Sequence, residues 1–81
     1  MALLIDIVVR REQTANGTVY SYSVPNREGE GFVLVDRDKS DVHLLAPIPG
    51  EADQHFFQRV RRKLMQHAAR GQLPERTIWA S

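Results

Sequence analysis

The hydrophobic period changes once along this chain, and that change constrains the fold more than any other feature. Up to Ala46, apolar residues recur at every second position; from Glu51 to Arg70 they recur every third or fourth, with no Gly or Pro in the stretch. The first pattern is that of strands with one buried face, the second that of an amphipathic helix. Pro47 and Pro49 stand between the two regimes, and proline cannot continue into the centre of a sheet. A run of strands followed by one helix predicts an α+β domain rather than alternating βα units.

The punctuation sets the elements. Leu3, Ile5, Ile7 and Val9 share one side of a first strand, within an apolar stretch that begins at Ala2. Asn16-Gly17 predicts a tight hairpin turn, because both residue types accept positive φ. Thr18 to Val24 then returns as a second strand, rich in β-branched and tyrosine residues. Pro25 to Gly31 reads as a loop, Phe32 to Asp36 as a third strand, Arg37 to Ser40 as a polar turn and Val42 to Ala46 as a fourth strand. The helix from Glu51 to Arg70 gathers Phe56, Phe57, Val60, Leu64 and Ala68 on one face. Glu51 and Asp53 lie where its dipole favours anions, and Gly71 and Pro74 supply its stop. The tail, Arg76 to Ala80, is expected to dock or to add a short fifth strand.

Register follows from the turns. A turn at Asn16-Gly17 places Val9 opposite Val24, Arg11 opposite Tyr22 and Gln13 opposite Tyr20. A symmetric turn at Asp38-Lys39 places Val35 opposite Val42 and Val33 opposite Leu44. One sheet face then holds Ile5, Ile7, Val9, Tyr20, Tyr22, Val24 and these four residues, and it is expected under the helix. The other holds Leu4, Val8, Val19, Phe32, Leu34 and Leu45, mixed with Asp6, Ser21, Ser23, Asp36 and His43. That second face is too apolar to stay bare. It calls for a cover, either the Ile78-Trp79 tail or a second chain, and Leu4, Val8, Phe32, Leu34, Leu45 and Trp79 are the expected protein interface.

Size makes the cover matter. The chain has 81 residues, no cysteine and 25 large apolar side chains (Leu, Ile, Val, Met, Phe, Trp). It is expected to form a single domain over residues 1–81, with no disulfide or thiolate metal site to staple it. A domain this small buries only somewhat more than ~60% of its unfolded surface. Charge is nearly balanced, at 11 basic and 10 acidic residues, but unevenly spread. Residues 1–50 carry 5 basic and 7 acidic side chains, and residues 51–81 carry 6 basic and 3 acidic. The N-terminal apolar stretch is interrupted by Asp6, has no basic start and is too short for a signal peptide or a membrane span. A cytoplasmic location without membrane contact is expected, and Asn16-Gly17-Thr18 is read as a turn rather than a glycosylation acceptor.

Chemistry has little to stand on. His55 and His67 are twelve residues apart on the helix, so they point ~120° apart and stand ~18 Å apart along the axis. They cannot share a metal, and His43 is on a strand. Asp36, Asp38, Ser40 and Asp41 resemble the opening of a calcium loop, but its sixth position is Asp41 and its twelfth Pro47, where Gly and Glu are needed. No serine sits in a strand–turn–helix nucleophile setting, and Gly29-Glu30-Gly31 lacks the Lys-Ser/Thr of a phosphate loop. No metal, cofactor or enzymatic activity is expected.

The helix carries the strongest charge pattern. Arg59, Arg62, Lys63 and Arg70 fall on one flank, with His55 and Gln66 among them, while Arg61 points away. Such a stripe is an electrostatic footprint for phosphates, and these four residues are the candidate nucleic-acid contacts. Tyr20 and Tyr22 offer stacking platforms for bases, but their register puts them in the core. Four antiparallel strands followed by a helix is an element order that resembles the Pur-alpha-like and Whirly single-strand DNA-binding families. The likeness is one of element order, and no functional residue is carried over from it. The sequence therefore points first to a non-enzymatic interaction module that pairs with itself or another protein, and second to a nucleic-acid-binding protein.

Overall fold

The structure, a computed structural model, describes residues 3–12 and 14–80. Its elements are β1 (Leu4–Arg11), β2 (Gly17–Ser23), β3 (Gly31–Asp36), β4 (Val42–Ala46), α1 (His55–Ala69) and β5 (Arg76–Ala80). They form an antiparallel sheet in the order β4-β3-β2-β1-β5, with α1 packed across one face. The four-stranded meander followed by a helix is therefore as expected. The tail is settled as a strand: β5 pairs with β1, from Leu4↔Ala80 to Val8↔Arg76. It widens the sheet instead of folding over the second face. Among the described residues no helix is long and apolar enough to cross a membrane.

The core lies between α1 and the sheet. Ile5, Ile7, Tyr20, Tyr22, Val33, Val35, Val60 and Leu64 are fully buried, with Val24, Val42, Phe56 and Phe57 close to it. Val9, Leu44 and Trp79 pack against this cluster from the rim. Ile48, between the two prolines, is also fully buried; no period marks it, because it plugs the core from an irregular linker.

The β3–β4 register is the expected one, with Val35↔Val42 and Val33↔Leu44. The β1–β2 register is not. Val9 lies opposite Tyr20 and Ile7 opposite Tyr22, a slip of four residues from the pairing that Asn16-Gly17 implied. Gln13, the expected partner of Tyr20, lies outside the described residues. The turn closes one residue earlier, between Thr14 and Gly17, whose backbones exchange hydrogen bonds of 2.7 and 3.2 Å. The Thr14 hydroxyl also accepts from the Gly17 N–H at 3.1 Å. Gly17 sits at φ 142°, and a Cβ there would meet the Val35 carbonyl oxygen at 1.9 Å. The glycine thus serves the strand pairing rather than the tip of the turn. A bulge between Val9 and Arg11 takes up the remaining offset. Because the slip of Val9 is even, Val9 and the strand residues before it keep their faces; beyond the bulge Arg11 lies opposite Val19 instead of Tyr22.

The helix starts later than its pattern suggested. Ala52 to Gln54 form a turn, with Asp53 and Gln54 at φ 52° and 57°, and α1 begins at His55. Glu51 stands ahead of the helix and caps it. One carboxylate oxygen accepts the Phe56 and Phe57 N–H groups at 2.9 and 2.8 Å. The other accepts the Tyr22 hydroxyl at 2.8 Å and the Ile48 N–H at 3.0 Å. Tyr22 reaches it across Gly31, where a Cβ would collide with the ring at 2.2 Å.

The two buried tyrosines make the fold sensitive to alkali. Burial, with Glu12 adding to it, pushes the Tyr20 hydroxyl up from 10.0 to about 12. Burial and the hydrogen bond to Glu51 push Tyr22 up further. Both folded pKa values are raised, so the neutral phenols favour the fold fully below pH 10, and that contribution is lost as pH rises from 10 through about 12. In an alkaline titration, phenolate absorbance is expected to appear together with the loss of circular dichroism. Tyrosine ionisation at pH 10 in a still-folded chain would overturn this.

Candidate interaction surfaces

Two surfaces flank the core. The first is the open face of the sheet. Alternation along the strands brings Leu4 and Val8 of β1 and Phe32 and Leu34 of β3 to this side, as expected, with Val19 of β2 among them; Leu45 of β4 follows Leu44 at a bulge where Phe32 pairs with Ala46. Leu45, Ile78 and Leu4 are 54%, 42% and 39% exposed; Val8, Val19, Phe32 and Leu34 are half-buried. Trp79 is not part of this surface. It pairs with Ile5 and packs on the helix side, because β5 lies beside β1 and adjacent strand residues face opposite ways. Ile78 takes its place on the open face, a residue that the alternation of a fifth strand would have indicated.

Arg10 and Arg76 on the open face are paired with carboxylates of the same chain. Arg76 grips Asp6 through two hydrogen bonds of 2.9 Å. Arg10 donates to the Ser21 hydroxyl at 2.9 Å and to Glu30 at 2.9 Å. Its side chain therefore lies across Ser21, which stands between Val8 and Phe32 in the same row and is 2% exposed. His43 meets Asp36 at 2.8 Å at the β3–β4 end. Sequence reasoning missed these pairs, since Arg10–Glu30 and Arg76–Asp6 join residues far apart in the chain.

The second surface is the outer flank of α1. Arg62 and Arg70 are exposed. Arg59 and Lys63, both expected to be exposed, are half-buried; the Arg59 guanidinium lies 5.2 Å from the Trp79 ring centroid and donates to the His55 carbonyl at 2.8 Å. The structure thus joins a residue expected at the protein interface to one expected at nucleic acid. Arg61 points to the other side and pairs with Asp41 at 2.8 Å. His67 contacts the Thr77 hydroxyl at 3.0 Å. Burial, reinforced by Lys63 and Arg70, holds its pKa below the usual histidine value.

The acidic turn is closed on itself. Asp38 accepts the Ser40 N–H at 3.0 Å, the Ser40 hydroxyl donates to Asp36 at 3.2 Å, and Lys39 adopts φ 61°. Hydrogen bonds from Ser40 lower the Asp38 pKa, and the Val42 N–H followed by Arg61 lowers that of Asp41. Among the described residues no three His, Cys, Asp or Glu side chains are grouped to hold a metal ion. A polar cleft of about 530 Å³ opens beside this turn, lined by Glu12, Thr14, Tyr20, Arg37 and Lys39. Its Tyr20 hydroxyl is already engaged by the Pro74 carbonyl, and its charged residues face solvent. Tyr20 and Tyr22 are fully buried and present no stacking surface. Comparisons with protein-family models, curated proteins and solved structures gave no match.

Proposed function

We propose that this chain is a small non-enzymatic interaction module that pairs with a second copy of itself through the open face of its sheet. The observation that carries this is an apolar face whose arginines Arg10 and Arg76 are already held by carboxylates inside the chain. Leu4, Val8, Phe32, Leu34, Leu45 and Ile78 share it with the Arg76–Asp6, Arg10–Glu30 and His43–Asp36 pairs. Phosphates gain little from arginines that carboxylates already hold, whereas an apolar counterpart gains from every large side chain it covers.

A second copy suits the size and the charge of the face. Five strands at ~4.8 Å spacing, about six residues long, give a flat area of roughly 500 Å². Two such faces bury on the order of 1,000 Å², at the lower bound for a biological interface. Arg10 and Arg76 rise from the β1–β5 half, while Glu30, Asp36 and His43 belong to the β3–β4 half. A two-fold axis parallel to the strands lays each half over the opposite half of the other copy, so the arginines of the two copies do not face each other.

Leu45→Lys and Ile78→Lys place charges at exposed positions and leave the core untouched. Sedimentation across a concentration series is expected to show a dimer for the natural chain, with at least tenfold weaker association for the double variant. A natural chain that stays monomeric at millimolar concentration, or a double variant that dimerises equally well, would remove the proposal.

A further inference from the structure

The outer flank of α1 gathers four cations and no acid. The helix runs HFFQRVRRKLMQHAA and contains no acidic residue. Elsewhere Arg10, Arg61 and Arg76 are each held by a carboxylate, and Arg27 lies over the Phe56 ring at 5.3 Å. On the flank, Arg62, Lys63 and Arg70 make no side-chain hydrogen bond or ion pair among the described residues, and Arg59 is steadied by a carbonyl and the Trp79 ring while keeping its charge. From Arg59 to Arg70 the row extends ~16 Å along one rigid element.

We propose that Arg59, Arg62, Lys63 and Arg70 bind the phosphate backbone of duplex DNA. Between these cations the flank carries Gln66 and His55, which are exposed and polar. Met65 and Ala69 lie at its edge, in a groove with Arg62 and Gln66, but the row itself carries no large apolar anchor of the kind on which a protein interface is centred, whereas phosphates need only cations and hydrogen-bond donors. A rigid row also matches a rigid duplex, which carries one charge per ~1.7 Å of axis, and the major groove of B-DNA is wide enough to admit a helix. Single strands bind largely by stacking on aromatic rings. Here Tyr20 and Tyr22 are buried, and Arg59 lies over the Trp79 ring. The contacts fix no base sequence, so binding is general and salt-dependent. The flank lies on the side of the sheet opposite the apolar face, so a chain that binds DNA without dimerising, or dimerises without binding DNA, separates this proposal from the previous one.

The test uses a labelled duplex of mixed sequence, the same sequence as a single strand, and polyglutamate as competitor, read by fluorescence anisotropy at several salt concentrations. Three to four phosphate contacts predict a slope of log affinity against log salt of about −3. Arg62→Gln, Lys63→Gln and Arg70→Gln together are expected to weaken duplex binding at least tenfold at low salt and to flatten the slope towards zero, with an unchanged circular dichroism spectrum. Arg37→Gln with Lys39→Gln, at the β3–β4 turn, is expected to leave affinity within twofold. Any one of four outcomes overturns the proposal: no duplex binding at low salt, equal binding by the triple variant, tighter binding to the single strand, or displacement by polyglutamate as effective as by unlabelled duplex.

Discussion

Glu51→Ala is expected to destabilise the fold by about 3–5 kcal/mol, more than any change on its surface. The carboxylate accepts the Phe56 and Phe57 N–H groups, two of the donors that a helix start leaves without partners, and also the Tyr22 hydroxyl and the Ile48 N–H. Hydrogen bonds to a charged group contribute about 1.5–3 kcal/mol each, and a buried donor left unpaired costs a further 1–3 kcal/mol or so. The terms are not independent, so their sum overstates the loss. A domain of this length has roughly 4–12 kcal/mol of total stability, and much of the variant should be unfolded in water. Glu51→Gln keeps the shape and one acceptor oxygen but not the charge beside the helix dipole, and is expected to lose about half as much. Urea unfolding measures both. Tyr22→Phe should cost less in the Glu51→Ala background than in the natural chain. Equal costs in the two backgrounds would show that the tyrosine and the cap act separately.

Leu64→Ala is expected to cost about 2–5 kcal/mol. Leu64 is fully buried in one cluster with Ile5, Ile7, Val33 and Val60, where truncation leaves a cavity that a rigid sheet cannot close. Leu64→Met, which keeps the volume, should cost less than about 1.5 kcal/mol. The contrast between the two reads packing rather than hydrophobicity alone. A loss below about 1 kcal/mol for alanine would mean that α1 does not seat this side chain in the core. Either result matters for both proposed surfaces, because α1 carries the cations of one and braces the sheet that bears the other.

Face assignment was legible from residue order, and position along the strands was not. The two-residue alternation placed Ile5, Ile7, Tyr20, Tyr22, Val33 and Val35 under the helix and Leu4, Val8, Phe32 and Leu34 on the open side, and the structure agrees. Parity is a local property of an extended chain, and even a four-residue slip of Val9 preserves it. The slip itself arose from the bulge at Arg10 and from a turn that closes at Thr14–Gly17, and neither follows from one dipeptide. Helical spacing likewise marked Phe56, Phe57, Val60, Leu64 and Ala68. The first turn was overestimated because Glu51 serves better as a partner for Tyr22 than as a helical residue.

The remainder depends on contacts between residues distant in the chain. Where β5 lies decided that Trp79 faces α1 and Arg59 while Ile78 faces outward; a five-residue tail can join an edge or cross a face with the same local pattern. Pairing of Arg10 with Glu30 and Arg76 with Asp6 ties these charges to each other on the open face, although its composition reads as mixed charge. The absence of acids from α1 is written in the residue order. That Arg61 meets a carboxylate while Arg62, Lys63 and Arg70 do not is a matter of which side of the helix looks towards Asp41. Period and punctuation act over a few residues and so specify elements and their faces. Charge neutralisation and capping require side chains from separate elements to come within about 3 Å of each other, and that proximity exists only once the sheet and helix are assembled.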